Sequence, residues 1–314
     1  MADAVIVVSF ASLLQAFCPC LTAPSFESFV TLMSGWVLNL RRHTVTETVR
    51  AAGAVGTKHI SSFHRFFSKG RWATDALGLV LVRALDARLE REAPLVAPVD
   101  DTLGRHTGKA IAAASMHRDP LLSTGRRAFF HWGHLWVVLS INLPMFGKTW
   151  ALPVLFRLYR SNKRCKVDKK PYRKTTELAR ELVELLAKTL PHRRIVVLGD
   201  AAYTNSSLIK KRPSNVSFIG RSRLDAALYA PAPQRRKGQM GRPRVRGSKL
   251  PSPGTEARDK TARWRRTEVT VYGKTVLVRV LVIDALWYVV AGRERMRLVV
   301  VRDYPGHERD DVFV

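Results

Sequence analysis

The sequence predicts an α/β protein: a mixed β-sheet preceded by a helical N-terminal part. Residues 25–92 carry apolar positions at helical spacing. Two β-type runs then end in acids, residues 95–99 before Asp100-Asp101 and residues 195–198 before Gly199-Asp200. Between and after them, strand-like and helix-like patterns alternate, which is the signature of an α/β chain.

Composition bounds the class. The 314 residues suggest about two domains, and a hydrophobic fraction of 46% supports a folded rather than a disordered chain. The 53 Lys and Arg against 25 Asp and Glu leave a net charge of +28, which points to a polyanionic partner, with nucleic acid the commonest. Cys18, Cys20 and Cys165 provide neither a disulfide framework nor zinc spacing, so free thiols in a reducing cytoplasm are expected, with Cys18 and Cys20 buried. The apolar run at 4–21 has Asp3 where a signal peptide needs a cationic start, and Gln15 and Pro19 interrupt it. It is read as a core helix, and no other stretch is long enough to span a membrane.

In the helical part, Ser25 is placed to cap a helix bearing Phe26, Phe29, Val30, Met33, Trp36 and Val37. Thr44-Val45-Thr46-Glu47 has the form of a capping box. Thr57 is expected to open a third helix with Ile60, Phe63, His64 and Phe67, and Leu77, Leu81, Leu85 and Leu89 trace a fourth. Short helices with short breaks suit a helix-turn-helix type bundle, in which His59, His64, Arg65 and Lys69 are within reach of phosphates. The bland alternative makes the histidines partly buried helix residues, and His59 is read that way.

Pro94 ends the helical part. Residues 95–99 form a strand whose Pro98 suggests an edge or irregular position. Residues 103–127 read as a polar loop, 135–142 and 150–159 as two strands around Pro144 and Gly147, and 163–174 as a basic linker. An amphipathic helix follows with Leu178, Leu182, Leu185, Leu186 and Leu190 on its apolar face, then a strand at 195–198, a short helix at 205–210 and a strand at 216–219. The order β β β α β α β is that of the ribonuclease-H-like fold, in which the first and fourth of these strands lie side by side. Their ends carry Asp101 (or Asp100) and Asp200. Carboxylates so placed offer hard oxygen ligands to Mg²⁺ or Mn²⁺ and leave room for water and phosphate. Metal ions there serve in-line phosphodiester displacement. The competing reading of Asp200 is a cap on the turn that follows it.

Val99-Asp100-Asp101-Thr102, Gly199-Asp200-Ala201-Ala202-Tyr203 and Phe218-Ile219-Gly220-Arg221-Ser222-Arg223 together resemble bacterial insertion-sequence transposases of the DDE endonuclease superfamily. The stretches 24–29, Gly35-Trp36 and 59–67 are similar to that family's helical domain. The resemblance implies a DNA transposase whose catalytic acids are Asp101 and Asp200, with Asp100 as the alternative to Asp101. It also implies a divalent metal cofactor, transposon-end and target DNA as partners, a homodimer, and a cytoplasmic, nucleoid-associated location. The family's third acid is a Glu in a Tyr-x2-Arg-x3-Glu-x6-Lys helix. Here Tyr288 is followed at the Arg place by Ala291, and Tyr304 by His307. Glu308, Asp310 and Asp311 read as solvated loop residues. The resemblance therefore implies a C-terminally truncated enzyme with impaired cleavage.

Residues 231–266 hold twelve basic side chains against Glu256 and Asp259 and are expected not to pack on their own. Gly241-Arg242-Pro243-Arg244 resembles an AT-hook core, and is read as a phosphate-binding loop. The DNA-holding candidates are Arg221, Arg223, Arg235, Arg236, Lys237, Arg242, Arg244, Arg246, Arg265 and Arg266. Residues 269–272 and 275–283 read as a hairpin across Gly273-Lys274, and 286–291 with 298–302 as a second strand pair. Trp264 is the aromatic best flanked for stacking on bases, whereas Trp287 and Tyr288 read as sheet packing. The expected organisation is a helical domain at 1–93, the catalytic core at 94–223, a basic flexible insertion at 224–268 and a β-rich segment at 269–314. Two readings compete with an active transposase: a DNA-binding remnant or regulator that occupies element ends, and a ribosome- or RNA-associated protein. The last accounts for the charge but not for the paired acids.

Overall fold

The computed structural model describes residues 2–108, 110–235, 237–271, 273–303 and 310–314. Arg236, Tyr272, Tyr304, His307 and Glu308 lie outside the described residues. The chain divides into two compact units, Met1–Ala84 and Leu85–Val314. Among the described residues, no helix is long and apolar enough to cross a membrane.

The first unit is helical: α1 (Ala2–Gln15), α2 (Ala23–Leu38), α3 (Val45–Ala51), α4 (Ile60–Lys69) and α5 (Thr74–Asp86). Leu14, Phe17, Phe29, Leu32, Val49, Phe63 and Phe66 are buried together, and the Phe29 ring stands between those of Phe17 and Phe66. Local signals differ from expectation at the helix starts. Thr22, not Ser25, precedes α2, and its hydroxyl donates to Ser25 Oγ instead of capping the backbone. Thr57 bonds back to the Ala54 carbonyl, so α4 begins after His59, whose ring nitrogen accepts the Ser61 N–H. His59 and His64 are exposed rather than partly buried. Thr44 does cap α3, accepting the Glu47 N–H at 3.3 Å, while the Glu47 carboxylate turns to Arg50 instead of closing a capping box. Trp36 and Val37 face outward, as does Phe67 of α4. Cys18 and Cys20 are only half-buried, and Cys165 alone is buried.

Gly35 is where α2 and α3 touch. A Cβ at this position would overlap the carbonyl oxygen of Thr48, itself buried on α3. Backbone cannot swing aside as a side chain does, so Gly35→Ala is expected to destabilise this unit by at least the ~1–3 kcal/mol usual for overpacking. Thermal or urea unfolding of the variant checks this, and an unchanged midpoint would contradict it.

The second unit is organised on one ten-stranded mixed sheet. Its strands are β1 (Leu95–Arg105), β2 (Ser115–Arg118), β3 (Phe130–Met145), β4 (Lys148–Tyr159), β5 (Ile195–Gly199), β6 (Val216–Ser222), β7 (Arg265–Val271), β8 (Lys274–Ala285), β9 (Met296–Arg302) and β10 (Asp311–Phe313). The order is β2-β3-β1-β5-β6-β10-β9-β8-β7, with β4 also paired to β3. β1, β3 and β4 form an antiparallel meander, and β5 and β6 add parallel to β1 in turn. This is the ribonuclease-H-like arrangement expected from the strand order. Helices α6 (Asn162–Val167), α7 (Thr175–Thr189), α8 (Ser206–Ile209), α9 (Pro253–Glu256) and α10 (Tyr288–Ala291) complete the unit. Helix α7 packs on β3 and β4 through buried Leu178, Leu182, Val183 and Leu186, while Leu185 and Leu190 are half-buried at the margin.

Several segments differ from the reading of the sequence. Pro98 lies in a central strand, not at an edge: β1 pairs with β5 over 95–98 and with β3 from Val99 on, so the proline stands where pairing changes sides. β1 does not stop at the acids but continues to Arg105, and the expected loop at 103–127 also contains β2. Helix α6 interrupts the basic linker, its first turn capped by Ser161. The second strand pair does not form: Leu286 bridges to Tyr229, residues 288–291 turn into α10, and β9 pairs with β8 instead. β7 and β8 do form the expected hairpin. Nor is all of 231–266 loose. Ala257 is buried, and Leu250, Ala262 and Trp264 pack on the cluster of Leu228, Leu281, Leu298 and Val300. Four apolar side chains distributed among the arginines are enough to fix its second half.

Candidate active site

Two residues beyond the last paired positions of β1 and β5, Pro98 and Leu198, stand Asp100 and Asp200. Alternation along β1 puts Asp100 on the face of Val96 and Pro98, and Asp101 on the face of Leu95, Ala97 and Val99. All three carboxylates reach solvent. Among the described residues, none of them pairs with a Lys, Arg or His. Asp101 shows the effect of the crowding: partial removal from water first, then the charges of Asp100 and Asp200, push its carboxyl above the ordinary range.

Asp200 also performs the capping role weighed against catalysis. Its Oδ1 accepts the N–H of Ala202 at 2.9 Å and of Tyr203 at 3.2 Å, so one oxygen shapes the turn. Asp100 spends an oxygen on the Asp101 N–H at 2.8 Å. The turn after Asp200 folds back because two glycines let it. Gly199 and Gly220 are neighbours across β5 and β6. A Cβ on Gly199 would stand 3.0 Å from the Tyr203 Cβ, and one on Gly220 would overlap Thr204 Oγ1. Tyr203 is thereby sealed in at 1% exposure, and its hydroxyl finds no hydrogen-bond partner among the described residues. Burial, then the charges of Asp101, Asp100 and Asp200, push that phenol up, so it remains a protonated donor.

The donor set fits a small hard cation to a limited degree. Mg²⁺ is commonly held by one or two carboxylates, with waters and substrate phosphates filling the other positions, and Asp101 with Asp200 provides that much. Among the described residues no three His, Cys, Asp or Glu side chains gather as a metal site. The acids near the end of the chain are engaged elsewhere. Asp310 pairs with Arg302 at 2.7 Å, and Asp311 is buried in β10 and pairs with Arg221, so neither is the solvated loop residue expected.

A charge effect on stability follows for Asp101. Its folded-state pKa lies above the unfolded 3.8, so the folded chain holds this proton more tightly. Stability from this group falls as pH rises through the folded pKa, and the penalty persists at neutral pH. Asp101→Asn is expected to raise the melting temperature at pH 7, with the gain shrinking as pH falls towards 4. A variant less stable than the parent at pH 7 would contradict the crowding of charges at this site.

Asp119, which gave no signal beyond the turn-forming Asp-Pro pair, organises the neighbouring sheet. It is 1% exposed and takes the Leu121 and Leu122 N–H groups on one oxygen, with Arg105 at 2.5 Å and His131 at 3.0 Å on the other. Burial pushes its carboxyl up, but the two N–H groups and Arg105 outweigh this and hold it low. The residue ties the end of β2 to β1 and β3.

The expected DNA-holding residues divide by what they touch. Lys237, Arg242, Arg244, Arg265 and Arg266 are exposed. Arg235 donates to the carbonyls of Gln239 and Gly241, Arg223 is paired with Asp225, and Arg221 with Asp311. Arg246 lies 4.1 Å over the Tyr229 ring and 5.2 Å over that of Tyr288. Trp264 is covered by Arg302 at 4.2 Å and is not open to a base, while Trp287 is buried in the core.

A family model described as DDE superfamily endonuclease matches residues 16–276. No curated protein matches the chain.

Proposed function

The chain belongs to the DDE superfamily of endonucleases, and on that premise we propose that it is a DNA transposase whose Asp101 and Asp200 hold Mg²⁺ or Mn²⁺ at transposon ends. The observation that carries this reading is that the acids of β1 and Asp200 stand just beyond the point where the β1–β5 pairing ends, with no basic partner among the described residues. Enzymes of this superfamily generally use divalent metal ions, which supply Lewis-acid stabilisation of the oxygens that attack and leave in phosphodiester hydrolysis and strand transfer. The chain's own groups do the rest. Asp101 and Asp200 supply oxygen ligands, and the Ala202 and Tyr203 N–H groups fix the orientation of Asp200. Exposed Lys237, Arg242, Arg244, Arg265 and Arg266, with Arg236, hold the duplex through its phosphates. Arg221, Arg223, Arg235 and Arg246 contribute charge from fixed positions.

We further propose that cleavage is impaired in this chain, because among the described residues no three His, Cys, Asp or Glu side chains gather as a complete metal site and no glutamate joins the aspartates. The same observation favours the second reading, a regulator that occupies transposon ends without cutting them. Nicking of supercoiled DNA in Mg²⁺ or Mn²⁺ decides between the two: slow nicking abolished by Asp200→Asn supports an impaired enzyme. DNA binding with no nicking supports the regulator, and nicking indifferent to Asp200 refutes the assignment of the acids.

A further inference from the structure

The buried phenol beneath the acids has no role in the reading above. Tyr203 is among the largest fully buried side chains, and a phenylalanine would fill the same space without leaving a hydroxyl that has no partner among the described residues. Buried hydroxyls are normally hydrogen-bonded, so one lacking a partner points to a group that arrives or turns.

Direction can be read from the sheet. Leu95 and Ile195 are paired neighbours on parallel strands, so odd-numbered residues of β1 and β5 share a face. That face carries Asp101 on β1 and Gly199 on β5, and the missing side chain of Gly199 is what lets Tyr203 settle there. Tyr203 and Asp101 therefore stand on one side of the sheet.

We propose that Tyr203 is a positioning residue, whose hydroxyl donates a hydrogen bond to the Asp101 carboxylate in the cation-loaded state and fixes which oxygen is turned towards the ion. The inference rests on Asp101 and Asp200 being cation ligands. A carboxylate on an exposed stretch of strand has two equivalent oxygens and a freely turning plane, and a donor on one oxygen leaves the other for the cation. Partners of this kind orient metal ligands, and their loss costs affinity by roughly 10- to 100-fold.

The test uses the full chain, with Mn²⁺ alone as probe, followed by calorimetry and by the electron paramagnetic resonance of free Mn²⁺. Tyr203→Phe keeps the ring and removes only the oxygen. The expected result is a melting temperature equal to or above the parent's together with Mn²⁺ affinity at least about tenfold weaker. A merely structural tyrosine would not separate these two readouts. Equal affinity in parent and variant overturns the role of Tyr203 and leaves the acid pair intact, as does a loss of affinity accompanied by a lowered melting temperature. Asp101→Asn measured alongside keeps the two failures distinct. If the parent does not bind Mn²⁺, or binds it no better than Asp101→Asn does, the metal reading itself falls and the inference with it.

Discussion

Asp200→Asn is expected to weaken divalent-cation binding by more than about 100-fold, the upper end of what losing a mere outer partner of a metal ligand costs, while leaving the fold in place. The two oxygens of Asp200 explain the separation. Oδ1 accepts the Ala202 and Tyr203 N–H groups, and an asparagine carbonyl oxygen can do the same. The variant therefore keeps the turn that buries Tyr203 and loses the charge directed at the cation. Nicking, where present, falls with the binding. Asp200→Ala removes both functions and is expected to lower stability by about 1 kcal/mol as well, the usual cost of a lost cap. Unchanged Mn²⁺ titrations and unchanged melting for Asp200→Asn would reduce Asp200 to a turn-capping residue.

The second large effect is on DNA. If the exposed basic residues meet 6–10 phosphates, affinity for duplex DNA is expected to fall about 10³- to 10⁵-fold between 50 and 200 mM salt, because each neutralised phosphate releases condensed counterions. Single substitutions resolve which residues take part. Arg242→Ala or Arg244→Ala, both exposed, should each lower the salt slope by about one. Arg246→Ala should change the slope less and stability more, since its guanidinium lies over Tyr229 and Tyr288. A filter-binding or anisotropy series in KCl measures this directly. An affinity that does not respond to salt would contradict every nucleic-acid reading of the +28 charge.

The sheet's centre was legible because the apolar runs that open β1, β5 and β6 are short and bounded by turn residues or acids, and because α7 keeps a clean apolar face. Their order alone led to the ribonuclease-H-like arrangement. The C-terminal strands were less legible. Residues 286–291 are apolar enough for a strand, yet Trp287 and Val290 bury themselves through one helical turn, a tertiary preference that a short apolar run does not encode. Helix starts in the first unit depart from the sequence signal for a local reason: Ser25 and Thr57 are good capping types, but their hydroxyls bond to Thr22 and the Ala54 carbonyl. At the site, the sequence pointed to the acids but not to Asp119 or to the buried hydroxyl of Tyr203. Asp119 is defined by three strands meeting, and Tyr203 by two glycines from adjacent strands; neither relation has a linear spacing.

The central claim is that residues 101 and 200 together form a cation site. Crystals of the chain soaked in MnCl₂, with data collected at the manganese absorption edge, test it in one measurement. An anomalous peak within coordinating distance of both the Asp101 and Asp200 carboxylates is the predicted result. Full manganese occupancy elsewhere with none between these two side chains would contradict it.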